Sequence, residues 1–507
     1  MIRSKIARDT LLLTVMQLFL DTSALMLNVF ITKRLGTSAT GVLSLTGTFL
    51  GLAGIISNGN AFLCTSRLIS EELGKPHSDP NRILAHGVKL CLMLSVGTSA
   101  VLLIFSEPVC DRFFTEPEML HEVRLMPVAL ISGAIACCFK GYFNACRRSV
   151  TPAVCDILEF CVRASTIIIL THSSHSHGRG AVCGILISGI IAGNVFSLLC
   201  LSVIFFLTHN RSDGKASLTF GQYVSLALPI MGGGLLTSVL GSANDALIPI
   251  CLRQSGSTVD ASLSLFGIFE AIVLPTIFFP SVVLCSMSGI VVSESARAVG
   301  AGNRERIHSF TSRLISLTLT YSIFVSAVLM RFGRPLGELL GGGSKAGDMI
   351  SFIAPVVPFI YMEIILEALI KGMGLQAFSS LNYLAEYVIR ISVVLIFVPR
   401  IGFYGIAMSY YVSNIFGNCM RLAKILRTAG IRFRPLRLIG VPVVYAFMTG
   451  CAAELITRPF ACSRADIPYM LTFALIWSVG YGVVFVIFSE IKAEKRRSRL
   501  IFVNNSQ

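Results

Sequence analysis

Residues 181–207 read Ala181-Val-Cys-Gly-Ile-Leu-Ile-Ser-Gly-Ile-Ile-Ala-Gly-Asn-Val-Phe-Ser-Leu-Leu-Cys-Leu-Ser-Val-Ile-Phe-Phe-Leu207. No charged side chain interrupts this run. About 20 apolar residues in an α-helix cross the hydrocarbon core of a bilayer. Backbone polar groups in lipid must be satisfied within the segment, so the run reads as a transmembrane helix. Segments of this kind recur from end to end. Their limits are 10–32, 40–64, 83–106, 122–145, 151–171, 180–208, 219–250, 261–293, 307–330, 348–370, 377–399, 402–425, 437–457 and 467–490. The expectation is an all-α polytopic membrane protein of about 14 transmembrane helices. Several runs exceed the bilayer thickness, which predicts tilt or projecting ends.

Composition agrees. Of 507 residues, 54% are hydrophobic and 14% charged, against about 25% charged in soluble chains. The net charge of +15 does not indicate nucleic acid, because the basic residues lie in short loops between apolar runs. The 15 cysteines sit mostly in apolar segments such as Ile135–Cys138 and form no C-x-x-C pair. They read as small hydrophobes, not as a disulfide or zinc framework. The basic-then-apolar beginning resembles a signal peptide, but Asp21 interrupts it and no A-x-A site follows. It is read as the first span.

Loop charges set the orientation. One alternating set of loops carries Arg3, Lys5 and Arg8; Arg67, Lys75 and Arg82; Arg147 and Arg148; and Arg211 and Lys215. It continues through Arg297, Arg304 and Arg306, the stretch from Arg421 to Arg437, and Lys492 to Arg499. The positive-inside rule then predicts a multi-pass protein of the cell membrane with both termini cytoplasmic. The opposite set holds the acidic Glu107–Glu118 segment and a loop with His172, His175 and His177, read as solvated and not as a metal site.

An internal repeat is visible. Lys140-Gly141 ends one span and Glu159-Phe-Cys-Val-Arg163 lies in the next. Lys371-Gly372 and Glu386-Tyr-Val-Ile-Arg390 repeat that pattern. A charged loop from Glu71 to Arg82 has its echo from Glu294 to Arg306. Both copies begin at odd-numbered spans. This predicts two six-helix lobes of like topology, related by an axis along the membrane normal. Their expected limits are 1–212 and 213–431, with 432–507 as an additional two-helix unit and basic cytoplasmic tail. Two such lobes suit alternating access about a central cavity.

The segment from Lys140 through Thr151-Pro152 to Glu159 and Arg163 resembles the fourth-to-fifth-helix signature of the stage V sporulation protein B family. That family lies in the multidrug/oligosaccharidyl-lipid/polysaccharide exporter superfamily, with its MATE-like fold. The turn Lys33-Arg34-Leu35-Gly36, the Pro229-Gly232-Gly233 stretch and the turn Val398-Pro399-Arg400-Ile401-Gly402 also fit. The resemblance implies a flippase for a lipid-linked saccharide, such as a polysaccharide or cell-wall precursor. It implies a V-shaped pair of lobes. The drug-exporting branch of the superfamily often carries an acidic residue in span 1, where it takes part in cation coupling. Asp21 matches that branch, which raises a cation-coupled antiporter of drugs or metabolites as the alternative.

Polar residues inside spans mark the chemistry, because ionised groups there cost about 2.5–3.5 kcal/mol on insertion scales. Thr14, Gln17, Asp21, Asn28 and Thr32 fall on one stripe of span 1. They are expected to face a cavity, with Asp21 taking a proton or sodium ion. Span 7 has Pro229 and Gly232 to Gly234, read as a bend or broken helix beside a cavity or as a close-packing face, and then Asn244 and Asp245. Span 8 has Glu270 near Pro275 and Pro280, a second candidate kink. Charged pairs are expected at Lys140, Glu159 and Arg163, at Glu363, Glu367 and Lys371, and at Glu386 and Arg390.

No enzyme is expected, and no cofactor beyond a coupling H+ or Na+. The chain lacks a metal-ligand cluster and a G-x-x-x-x-G-K-[ST] loop; Gly341-Gly-Gly-Ser-Lys345 lacks that spacing. The expected partners are the bilayer and a lipid-linked oligosaccharide or amphiphilic small molecule, handled by a monomer.

Overall fold

In the computed structural model, residues 2–73, 79–110, 120–173, 179–208, 218–301, 304–430, 435–458 and 468–485 are described. His175, His177 and the basic tail lie outside them. The described chain is helical throughout, without strands. The helices are α1 (Ile2–Leu35), α2 (Thr37–Glu72), α3 (Pro80–Ile104), α4 (Leu120–Ala145), α5 (Val150–Ser173), α6 (Arg179–Thr208) and α7 (Phe220–Gln254). There follow α8 (Val259–Val299), α9 (Arg304–Leu339), α10 (Gly343–Gly372), α11 (Gln376–Ile401), α12 (Phe403–Ala429), α13 (Leu438–Thr457) and α14 (Pro468–Phe485). Twelve helices in the described residues are long and apolar enough to cross a membrane. The other two expected spans are present as α5 and α12. Asp156, Glu159 and Arg163 set α5 apart, and in α12 it is the polar Ser409, Ser413, Asn414 and Asn418 ahead of Arg421. Fourteen helical segments thus fit the expected count.

The chain divides into two compact units. One comprises Met1–Ser286 with Ser380–Ser413, the other Met287–Ser379 with Asn414–Gln507.

In the first unit, α2 turns at Gly59 and Asn60, both at positive φ (53° and 55°), with the Asn58 side chain accepting the Asn60 N–H at 2.9 Å. Asn tolerates that conformation better than most residues because its short side chain bonds locally. Beyond the turn, Cys64, Leu68 and Ile69 pack with Ile83 and Cys91 of α3, Cys138 and Phe143 of α4, and Tyr223 and Ala227 of α7. The cysteines are free and serve as core atoms here. Where α2 meets α8, a methyl group on Gly41 would overlap the Leu263 carbonyl, and one on Gly267 would overlap the backbone of Gly41. Small residues allow backbones this close, the usual way membrane helices gain dispersion contact.

α7 begins with a capping box, Thr219 with Gln222. It continues as one helix through Pro229 and the glycines, so the span is not broken there. Membrane helices tolerate Pro and Gly where neighbours satisfy the freed backbone groups. The irregularity falls in α8: a π-turn at Phe269–Val273, with Pro275 close behind, and a 3-10 turn at Phe279–Ser281 containing Pro280.

In the second unit, α9 packs on α10, α13 and α14. Phe332, Ala453, Tyr469, Met470, Phe473 and Trp477 form its aromatic core. Trp477 donates Nε1–H to the Ala446 carbonyl at 3.0 Å, and Tyr481 donates its hydroxyl to Thr320 O at 2.9 Å. Each buried aromatic thus satisfies its polar handle.

Candidate functional site

In the first unit, α7, α8 and α11 carry the acidic residues Asp245, Glu270 and Glu386, and α12 adds Tyr410 and Ser413 beside them. On α7, the Asn244 amide donates to Asp245 Oδ1 at 3.1 Å. The Asn244 carbonyl oxygen is buried without a hydrogen-bond partner. Glu270 lies in the π-turn of α8, half-buried, and interacts electrostatically with Asp245. Arg390 on α11 acts on Asp245 as well. Its guanidinium is fixed from three sides: Nη2 bonds Glu386 at 3.1 Å, Nε donates to Ser413 Oγ at 2.9 Å, and the Tyr410 ring centroid lies 4.6 Å away. Tyr410 in turn meets Phe269 edge-on, with centroids 5.4 Å apart. Asp245 and Glu386 therefore share one arginine, and Glu270 acts on Asp245. Carboxylates in excess of cations, beside an orphaned amide oxygen, form a donor set suited to a proton or a hard monovalent cation.

The polar stripe of α1 has two fates. At one end, Gln17 donates to Asp21 at 2.9 Å, and both keep exposed surface. At the other, Thr32 is buried against Thr40 at 3.1 Å. Asn28 donates to the Ala271 carbonyl of α8 at 3.3 Å. Ala271 lies in the π-turn, and the residue four further on, Pro275, has no N–H to offer an α-helical bond.

The repeat pairs form as spacing indicated. Glu159 takes Arg163 at 2.6 Å and Lys140 at 2.9 Å, and Lys140 also reaches Asp156 at 2.6 Å. Two cations and two carboxylates make a balanced network between α4 and α5. Asp156 was not singled out from the sequence; its place one turn before Glu159 was the available signal.

In the second unit, Glu363, Glu367 and Lys371 do share one face of α10, with Lys371 3.5 Å from Glu367. Their principal partner is Arg421, which loop counting had placed in a basic cytoplasmic stretch. It lies inside α12, 0% exposed, 3.3 Å from Glu363 and 3.5 Å from Glu367. Ser379 donates its hydroxyl to Glu367. Glu363 and Arg421 are 58 residues apart in sequence, so no local spacing announces the pair.

A bundle of membrane-length helices, with ion pairs and an acidic cluster inside its spans, defines a polytopic α-helical membrane transporter. The chain belongs to the MatE family, whose model matches residues 14–168 and 255–396. It is similar to stage V sporulation protein B of Bacillus subtilis (strain 168), 19% identical over 483 residues, covering 92% of each chain. Among solved structures it resembles lipid II flippase MurJ in an inward closed conformation, with TM-score 0.68 and 15% identity. That match covers 95% of this chain and 100% of the other. It also resembles an inward-facing multidrug resistance MATE family transporter of the MOP superfamily, with TM-score 0.60 and 17% identity. There the coverage is 81% of this chain and 95% of the other.

Proposed function

We propose that the chain flips a lipid-linked saccharide across the cell membrane by alternating access between two six-helix lobes. The observation that carries this reading is coverage. The MATE transporter is matched almost to its full length yet reaches only 81% of this chain, whereas MurJ reaches 95% and is matched completely. The relative with similarity over 92% of both chains is the sporulation protein. The protein acts as a monomeric carrier, not an enzyme, with both termini in the cytoplasm.

The acidic cluster favours a second reading at the level of energetics. Asp245, Glu270 and the Asn244 oxygen bind a proton or sodium ion whose gradient drives the cycle, as in a cation-coupled antiporter of drugs or metabolites.

Reconstitution into vesicles separates the cargoes. Fluorescent lipid-linked sugar and a cationic dye are presented in separate assays. Saccharide movement without dye movement supports the flippase. Dye exchange against an imposed ion gradient, without saccharide movement, replaces it with the antiporter.

A further inference from the structure

At the start of α11 and the end of α12, Phe378, Met420, Ala423, Lys424, Arg427 and Thr428 line a cavity of about 340 Å³. Its lining has two chemistries. Phe378, Met420 and Ala423 are apolar, and Met420 is 45% exposed. Lys424 and Arg427 add two positive charges, one turn apart on α12. Lys424 Nζ stands 5.7 Å from the centroid of the Phe378 ring, within cation–π range.

These two cations differ from five others inside the spans. Lys140, Arg163, Lys371, Arg390 and Arg421 are each held by a carboxylate. Among the described residues, no carboxylate lines this cavity or pairs with Lys424 or Arg427. Arg427 occupies the last turn of its helix and Phe378 the first turn of α11. A helix of membrane length meets the headgroup layer at such an end. The N–H groups opening α11 add partial positive charge there.

We propose that the cavity holds the phosphate headgroup of an anionic phospholipid, with its acyl chains running over Phe378 and Met420. An inorganic anion would use only the charged half. A zwitterionic lipid would bring its own cation to two unneutralised ones. Basic pockets between membrane helices recognise anionic headgroups by this balance.

The test is native mass spectrometry of the purified full chain in detergent, with phosphatidylglycerol or phosphatidylcholine of the same acyl chains. The parent retains phosphatidylglycerol about tenfold better than phosphatidylcholine. The double variant Lys424→Gln/Arg427→Gln loses that preference, while Lys345→Gln, at an exposed position in the first turn of α10, keeps it. The charge-preserving swap Lys424→Arg/Arg427→Lys also keeps it. Equal retention of both lipids by the parent, or undiminished preference in the double variant, overturns the proposal. So does displacement of the lipid by millimolar inorganic phosphate, which makes the cavity a free-anion site. Should the double variant fail to fold, Lys424→Gln alone carries the comparison, and unchanged preference there counts against the site. Lipid retention is read without transport, so this result and the cargo assay stand or fall separately.

Discussion

The Asn28 amide donates to the Ala271 carbonyl at 3.3 Å, inside the π-turn of α8 and four residues before Pro275, which has no N–H to give. A residue of α1 thereby completes the backbone of α8 at its π-turn, one residue from Glu270. In lipid this matters more than in water, since no solvent stands ready to take the carbonyl.

Replacing Asn28 by Ala removes that hydrogen bond, at a cost of about 1 kcal/mol. Thermal unfolding in detergent reads the loss. Pro275→Ala supplies a backbone N–H, so the double variant loses less than the sum of the single changes. Strict additivity would show that the two groups are not partners.

Arg421→Met removes the cation from Glu363 and leaves Glu367 with only Lys371 and Ser379. The expected loss is about 3–5 kcal/mol, as for other broken buried pairs. Converting both glutamates to Gln in the same chain recovers most of it. A single variant that unfolds at the parent temperature would remove Arg421 from the structural framework.

At the α2–α8 crossing, Gly41→Ala forces a methyl group into the Leu263 carbonyl and pushes the helices apart. Gly47→Ala, where nothing stands within 4 Å, is the matched control. The first costs about 1–3 kcal/mol, as overpacking does. The second is neutral or slightly stabilising through helix propensity. Similar melting of the two variants would contradict the close approach.

If the acidic cluster binds the coupling ion, Asp245→Asn and Glu270→Gln each reduce gradient-driven transport in vesicles about tenfold, equivalent to 1.4 kcal/mol. Asp21→Asn, whose partner is Gln17 on its own helix, has a smaller effect. The reverse order would move the coupling site to α1.

Much of this was legible in the sequence because its signals are local. Long apolar runs located the helices, and Glu at i with Arg at i+4 located the Glu159–Arg163 and Glu386–Arg390 pairs. What escaped was tertiary. Arg421 read as a loop charge because its carboxylates come from α10. Asn28 read as part of a cavity-lining stripe, and only the fold shows its amide turned to a carbonyl 243 residues away. The stretch after Pro229 read as a bend, a broken helix or a close-packing face; α7 continues through it unbroken, and the π- and 3-10 turns fall in α8.

The chain has one tryptophan, and it is Trp477, buried in the aromatic core of the second unit with its indole bonded to Ala446. Intrinsic fluorescence therefore has a single address. Any shift in its emission on adding cargo, ion or lipid reports rearrangement around α13 and α14, without a label and without subtraction of other emitters.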